Sequence, residues 1–196
     1  MKLANRMVMG LTMLCLSIGV TALAAEALDS GLNVGENAPA FDPTHISGAD
    51  RGTSACPMCK YGDGQGVMIW LNTENLTDAA AMAKRLEREI QARGVERMRA
   101  FIMYMNPGGK SDKELKKMLG EFSSTAGLQK VAVTFIPAPT DPDTAGVYKI
   151  NADPKVKNTV LVYHQRKVIE KHVNMGSTDA EMDQIVNAID RAANAK

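Results

Sequence analysis

TVLVYHQRKVIEKHVNMGSTDAEMDQIVNAID, residues 159–190, carries two strand-like runs, a turn and a helix start in close succession. Thr159–His164 and Lys167–Val173 flank the short polar pair Gln165-Arg166, the pattern of a β-hairpin. Thr178 and Glu181 then stand at capping-box spacing, where hydroxyl and carboxylate satisfy exposed backbone N–H groups at a helix start. Met182, Ile185, Val186 and Ile189 fall on one helical face behind that cap. The carboxyl-terminal third is therefore an antiparallel hairpin closed by an amphipathic helix.

Upstream, strand and helix signals alternate. VMIWL, residues 67–71, is a short apolar run suited to a strand buried on both faces. Ala79, Met82, Ala83, Leu86 and Ile90 share one face of the next helix, with Lys84, Arg85, Glu87 and Arg88 turned largely outward and Gly94 at the stop. MRAFIMYM, residues 98–105, is a second strand ended by Asn-Pro-Gly-Gly. Ser111 and Glu114 form another capping box, and Leu115, Met118, Leu119 and Phe122 give that helix a buried stripe. VAVTFI, residues 131–136, is a third strand before a loop rich in Pro and Asp. Strands alternating with helices, followed by a hairpin and a final helix, predict an α/β fold with a mixed sheet covered on both faces.

Two stretches carry a resemblance. VGENAPAF, residues 34–41, is similar to the opening of extracytoplasmic redoxins, and VYKINADPKVKNTVLVYHQRKVIEKHVN, residues 147–174, is similar to their penultimate strand and hairpin. Over roughly residues 34 to 193 the chain resembles the thioredoxin-like redoxins, including the AhpC/TSA-like branch. The resemblance implies a thioredoxin-like three-layer sandwich, a mixed central β-sheet with helices on both faces. It also implies a Cys-x-x-Cys after the first central strand, at the start of a helix. Asn72-Thr73-Glu74-Asn75-Leu76 fills that place and contains no cysteine. The Pro, Thr and peroxidatic Cys of a peroxiredoxin are missing there as well, so peroxide reduction of the usual kind is not expected. Asn158 stands where the family carries a cis-proline before the hairpin strand.

The amino terminus, MKLANRMVMGLTMLCLSIGVTALAAEA, has Lys2 and Arg6 before an apolar run and the small residues Ala22, Ala24 and Ala25 after it. That layout predicts a signal peptide over residues 1–25 and a periplasmic or secreted mature chain, an uncleaved anchor being the alternative. Leu14 before Cys15 does not suit a lipoprotein signal. Cleavage removes two of the 23 basic residues against 22 acidic ones. A nearly neutral chain has no general attraction to nucleic acid or anionic membrane, and no later segment is apolar enough to span a bilayer. The expected organisation is a signal peptide, an extension with a Gly-rich loop over residues 26–66, and a thioredoxin-like domain over residues 67–196.

That Gly-rich loop contains Cys56-Pro57-Met58-Cys59, the two cysteines left after cleavage. Three chemistries fit. Closely spaced thiols exchange with a partner disulfide and resolve the mixed disulfide internally, with Pro57 limiting the backbone and Lys60 and Arg51 nearby to favour thiolate. The family's order makes Cys56 the attacking sulfur and Cys59 the resolving one, and it implies a protein dithiol or disulfide partner. Alternatively, the pair is a structural disulfide, whose four-residue loop stabilises by only about 2 kcal/mol. The third possibility is copper: Cys56, Met58 and Cys59 form a soft ligand set for Cu(I), with His45, His164 and His172 as further candidates. Zinc would want four ligands and only one Cys-x-x-Cys is present. Met68, Met82, Met98, Met118 and Met182 lie at expected core positions, and Met1, Met7, Met9 and Met13 belong to the signal. Trp70 continues the buried strand, while Glu74 and Asn75 offer a polar alternative at the family's usual slot. No Ser/His/Asp spacing, phosphate-binding glycine loop or basic-aromatic patch points to a hydrolase, a nucleotide enzyme or a nucleic-acid binder.

Overall fold

The computed structural model describes residues 28–194; the proposed signal peptide, with Cys15, Met1, Met7, Met9 and Met13, lies outside the described residues. VMIWL forms the centre of the sheet. Its strand, β2 (Gln65–Leu71), lies parallel to β3 (Arg99–Tyr104) on one side and antiparallel to β5 (Asn158–His164) on the other. With β1 (Thr44–His45), β4 (Ala132–Phe135) and β6 (Lys167–Val173), the six strands run in the order β1-β4-β3-β2-β5-β6. Every residue of β2 is buried, as a strand covered on both faces requires.

The β2–β3 and β3–β4 connections are parallel crossovers stepping the same way along the sheet. Under the right-handed rule such a pair of crossovers sends both linking helices to one face, and α2 (Thr77–Arg93) and α3 (Asp112–Ala126) do share one core. The closing helix α4 (Asp179–Asn194) joins them there: Met82, Leu86, Leu115, Leu119, Met182 and Ile185 share a core with Val67, Ile69 and Leu71. Period-2 alternation sends Met68 and Trp70 to the opposite face. That face is covered by the one-turn helix α1 (Pro57–Tyr61), a π turn at Pro142–Gly146, and the chain leading into β1.

The two stretches that resemble redoxins meet on this second face. Phe41 sits with its ring centroid 5.5 Å from that of Trp70 and 5.0 Å from that of Tyr148, and the Tyr148 hydroxyl donates to the Pro39 carbonyl at 2.8 Å. Asn37 bridges to Lys167 at the other edge, and β1 pairs antiparallel with β4. The stretch leading to the cysteines is thus built into the sheet.

The hairpin turns at Gln165 and Arg166, whose φ angles of 49° and 63° are both positive, the geometry that matches the twist of the flanking strands. The Thr178–Glu181 box is reciprocal: Glu181 Oε2 accepts from Thr178 N–H at 3.1 Å and Thr178 Oγ1 accepts from Glu181 N–H at 3.3 Å. Two details differ from the sequence reading. The CPMC segment is a helical turn rather than a loop. Glu87, expected to face outward, is only 5% exposed. Among the described residues, no helix is long and apolar enough to cross a membrane.

Candidate functional site

The CPMC turn is set by local chemistry. Cys56 is the N-cap in an extended conformation, and Pro57 follows at the first helical position, where its missing N–H costs no hydrogen bond. The Cys59 N–H donates to Cys56 Sγ at 3.0 Å, and the Lys60 N–H donates to the Cys56 carbonyl at 3.2 Å. Cys56 and Cys59 are joined in a disulfide with their Cα atoms 5.3 Å apart. Cys59 is exposed and Cys56 half-buried, so an incoming thiolate has access to the bond.

Backbone contacts fix where this turn sits. The Gly62 and Gly64 carbonyls accept from the Arg166 and Gln165 N–H groups at 2.7 and 2.8 Å, which ties the hairpin turn beneath α1. Gly66 has no room for a side chain: a Cβ there would lie 2.5 Å from the Arg99 carbonyl oxygen and 2.6 Å from the Tyr163 hydroxyl. Tyr61 covers the start of β3, with Phe101 at 6.0 Å between centroids and the Arg99 guanidinium 4.3 Å above its ring. The sulfurs therefore lie at the amino-terminal end of β2. The place where redoxins usually carry cysteine is at the other end, about 20 Å away at roughly 3.3 Å per strand residue.

That usual place is occupied by a self-satisfied polar turn. Thr73 Oγ1 accepts from Asn75 N–H, Asn75 Oδ1 accepts from Thr77 N–H, and Glu74 is paired with Lys110. Asn158 opens β5 directly opposite Leu71, and its amide bonds both the N–H and the carbonyl of Met175, at 3.0 and 2.8 Å. No cis peptide bond occurs among the described residues. Glu74 and Asn75 thus close a turn, and Asn158 ties β5 to the end of β6.

Asp50 organises the charge around α1. It accepts from Lys60 Nζ, and its other oxygen accepts from the Tyr61 hydroxyl at 2.8 Å. Burial opposes ionisation of Asp50, but the hydrogen bonds from Lys60 and Tyr61 outweigh it and hold the carboxyl below its usual range; the same contact raises Lys60. The Lys60 charge is therefore matched by Asp50, which offsets the help that the sequence suggested Lys60 would give a thiolate. A depressed carboxyl stabilises the fold above its unfolded pKa, and that stabilisation is lost as pH falls through the folded value. Asp50→Asn is expected to be less stable than the parent at pH 7, with the difference shrinking below about pH 4, as urea unfolding across pH would measure.

The copper set is not brought together as the sequence suggested. Met58 is 1% exposed and packs in the core of the second face with Met68 and Tyr163, while Cys59 on the same turn faces outward. A site using all three sulfurs would have to draw Met58 out of that core. His45 is buried with Nε2–H donating to the Ala55 carbonyl at 2.8 Å, and His172 pairs with Glu170 at 2.7 Å. Among the described residues, no three His, Cys, Asp or Glu side chains converge as a metal site. Trp70 and Met68, Met82, Met98 and Met182 are core residues, and Met118 packs partly buried against the core.

No protein-family model and no curated protein matches the sequence. Solved structures do. An uncharacterized conserved protein from Geobacillus kaustophilus superposes with a TM-score of 0.64 at 12% identity, covering 89% of each chain. A putative thiol:disulfide interchange protein DsbE from Chlorobium tepidum gives 0.57 at 16% identity, over 82% of this chain and 98% of its own. A putative protein disulfide isomerase from Bacteroides thetaiotaomicron gives 0.58 at 12% identity, over 84% of this chain and 94% of its own. The fold is α/β and thioredoxin-like. Its sheet has a helix-linked strand, β4, beside the central parallel pair, followed by a closing hairpin and helix.

Proposed function

We propose that this protein carries out thiol–disulfide exchange with a protein partner outside the cytoplasm, through Cys56 and Cys59. One observation carries the reading: the two cysteines form a disulfide on an exposed turn, with Cys59 open to solvent. In the direction that reduces the partner, the Cys56 thiolate of the reduced protein attacks a partner disulfide, forming a mixed disulfide and expelling one partner thiolate, which takes up a proton. The Cys59 thiolate then attacks Cys56 Sγ, restoring the intramolecular disulfide and releasing the second partner thiol. Two electrons pass from this chain to the partner, and the reverse sequence oxidises a partner dithiol. The Cys59 N–H directed at Cys56 Sγ supports Cys56 as the nucleophile, because a hydrogen bond to the thiolate stabilises it. The signal-like amino terminus supports export, and an oxidising compartment is where such a pair persists.

Titration of the purified chain against glutathione redox buffers tests the reading. Exchange chemistry predicts a reduction potential well above about −300 mV, whereas a purely structural disulfide would resist reduction below that value.

A further inference from the structure

We infer that the cleft between β1 and α3 binds a small organic anion, its carboxylate or phosphate group held by Arg51 and Lys116. The cleft has a volume of about 430 Å³, inside the range of roughly 300 to 1,000 Å³ typical of small-molecule sites. It lies on an edge of the sheet, away from the polar turn at the carboxyl end of β2, and of its lining only Arg51, which the sequence suggested as an aid to the thiolate, bears on the exchange chemistry.

Charge gives the ligand its sign. Arg51 and Lys116 both line the cleft, neither has an ion-pair partner among the described residues, and no Asp or Glu lines it. Two unmatched cations facing one concave surface focus a positive potential that a dissolved anion would meet.

Two further features belong to a binding site. Ser123 is 5% exposed and lines the cleft, and its hydroxyl makes no hydrogen bond among the described residues, although neighbouring Ser124 donates to the Glu121 carbonyl. The Ser123 oxygen keeps solvent contact on the cleft side, so the hydroxyl is free to donate to an oxyanion there. Gly120 sits mid-way along α3 on the cleft wall, where a glycine costs about 1 kcal/mol relative to alanine. A Cβ built there meets nothing within 4 Å and φ is not positive, so neither packing nor backbone geometry requires glycine; its bare backbone widens the cleft. His45, fixed through Nε2–H to the Ala55 carbonyl, and Ile46 form the opposite wall and suit an organic body behind the anionic group.

The test is an amide chemical-shift titration of the oxidised protein with inorganic phosphate and, separately, acetate, at ionic strength held constant with chloride. The oxidised chain makes the result independent of whether the disulfide turns over. Saturable shifts confined to the amides of Gly52, Gly120, Ser123 and their neighbours are expected with at least one probe, and which probe binds tells phosphate from carboxylate recognition. Arg51→Gln and Lys116→Gln, both surface substitutions, should each weaken the binding about tenfold, equivalent to about 1.4 kcal/mol. Gly120→Leu should abolish the shifts while the thermal midpoint holds. Shifts that never saturate, that spread over surface lysines generally, or that persist undiminished in both charge variants would overturn the proposal.

Discussion

Cys59→Ser, reduced and then mixed with a disulfide-bonded protein, should accumulate a covalent mixed disulfide through Cys56. In the parent chain the same species is short-lived, because Cys59 lies one turn away and attacks within the molecule. Intramolecular attack from a held position has a large effective molarity, so removing Cys59 should lengthen the life of the mixed disulfide by about 10³-fold or more. A non-reducing gel resolves the adduct, and dithiothreitol should dissolve it. The Cys56→Ser variant supplies the control on direction. Its remaining thiol is the more exposed of the two, but it lacks the N–H contact that favours thiolate at Cys56. It should form adducts more slowly, and a trap seen only in Cys56→Ser would reverse the assigned order. A structural staple makes a different prediction: both variants lose about 2 kcal/mol of stability and neither captures a partner.

The position of this site has a consequence for how the fold is used. In the redoxin arrangement, the end of β2 followed by α2 offers a helix start for a thiolate. Here Asn75 Oδ1 accepts the Thr77 N–H, and the Asn158 amide ties β5 to Met175. These groups are already satisfied by one another. The sulfurs instead occupy an inserted helical turn at the opposite end, anchored by Met58 in the core and by the hairpin turn beneath Gly62 and Gly64. On the exchange reading proposed above, a partner would approach the end of the sheet that carries Asp50, Tyr61 and Arg99.

The long elements were legible because their periodicity is unambiguous. The stripe Ala79-Met82-Ala83-Leu86-Ile90 and the Thr178–Glu181 box each point to one structure, and the short turn Gln165-Arg166 sets the hairpin. Strand β1 was not legible: two residues carry no period, and only the pairing of Thr44 with Phe135 and His45 with Thr134 defines it. The CPMC helix leaves one weak sequence signal, Pro57, which suits the first position of a helix, while Cys56 is not a residue type that marks an N-cap. The Arg51–Lys116 cleft joins residues from distant parts of the chain, and no local pattern connects them. The burial of Glu87 was legible in principle. It stands four residues after Ala83 and three before Ile90, on the buried stripe itself, and its charge masked its position.

That carboxylate is the basis of the second large effect. Glu87 accepts the Lys130 N–H at 3.0 Å and the Val131 N–H at 2.9 Å, just before β4 begins. Neither N–H has a strand partner at that point, because the pairing of β4 with β3 starts at Ala132. One side chain on α2 thus caps the entry of a sheet strand, linking the helical face to the sheet more directly than apolar contact does. Glu87→Ala leaves both donors without an acceptor in a site that water reaches poorly. At about 1 to 3 kcal/mol for each orphaned buried group, a loss of about 3 kcal/mol or more in urea unfolding is expected. Glu87→Gln keeps one accepting oxygen and the side-chain volume, so it should lose roughly half as much. Amide hydrogen exchange separates this mechanism from simple loss of packing: Lys130 and Val131 should lose protection beyond the global change in stability, while Leu86 and Ile90 should follow it. Equal losses in the Ala and Gln variants, with Lys130 and Val131 exchanging no faster than their neighbours, would show that Glu87 fills space and does not hold the strand.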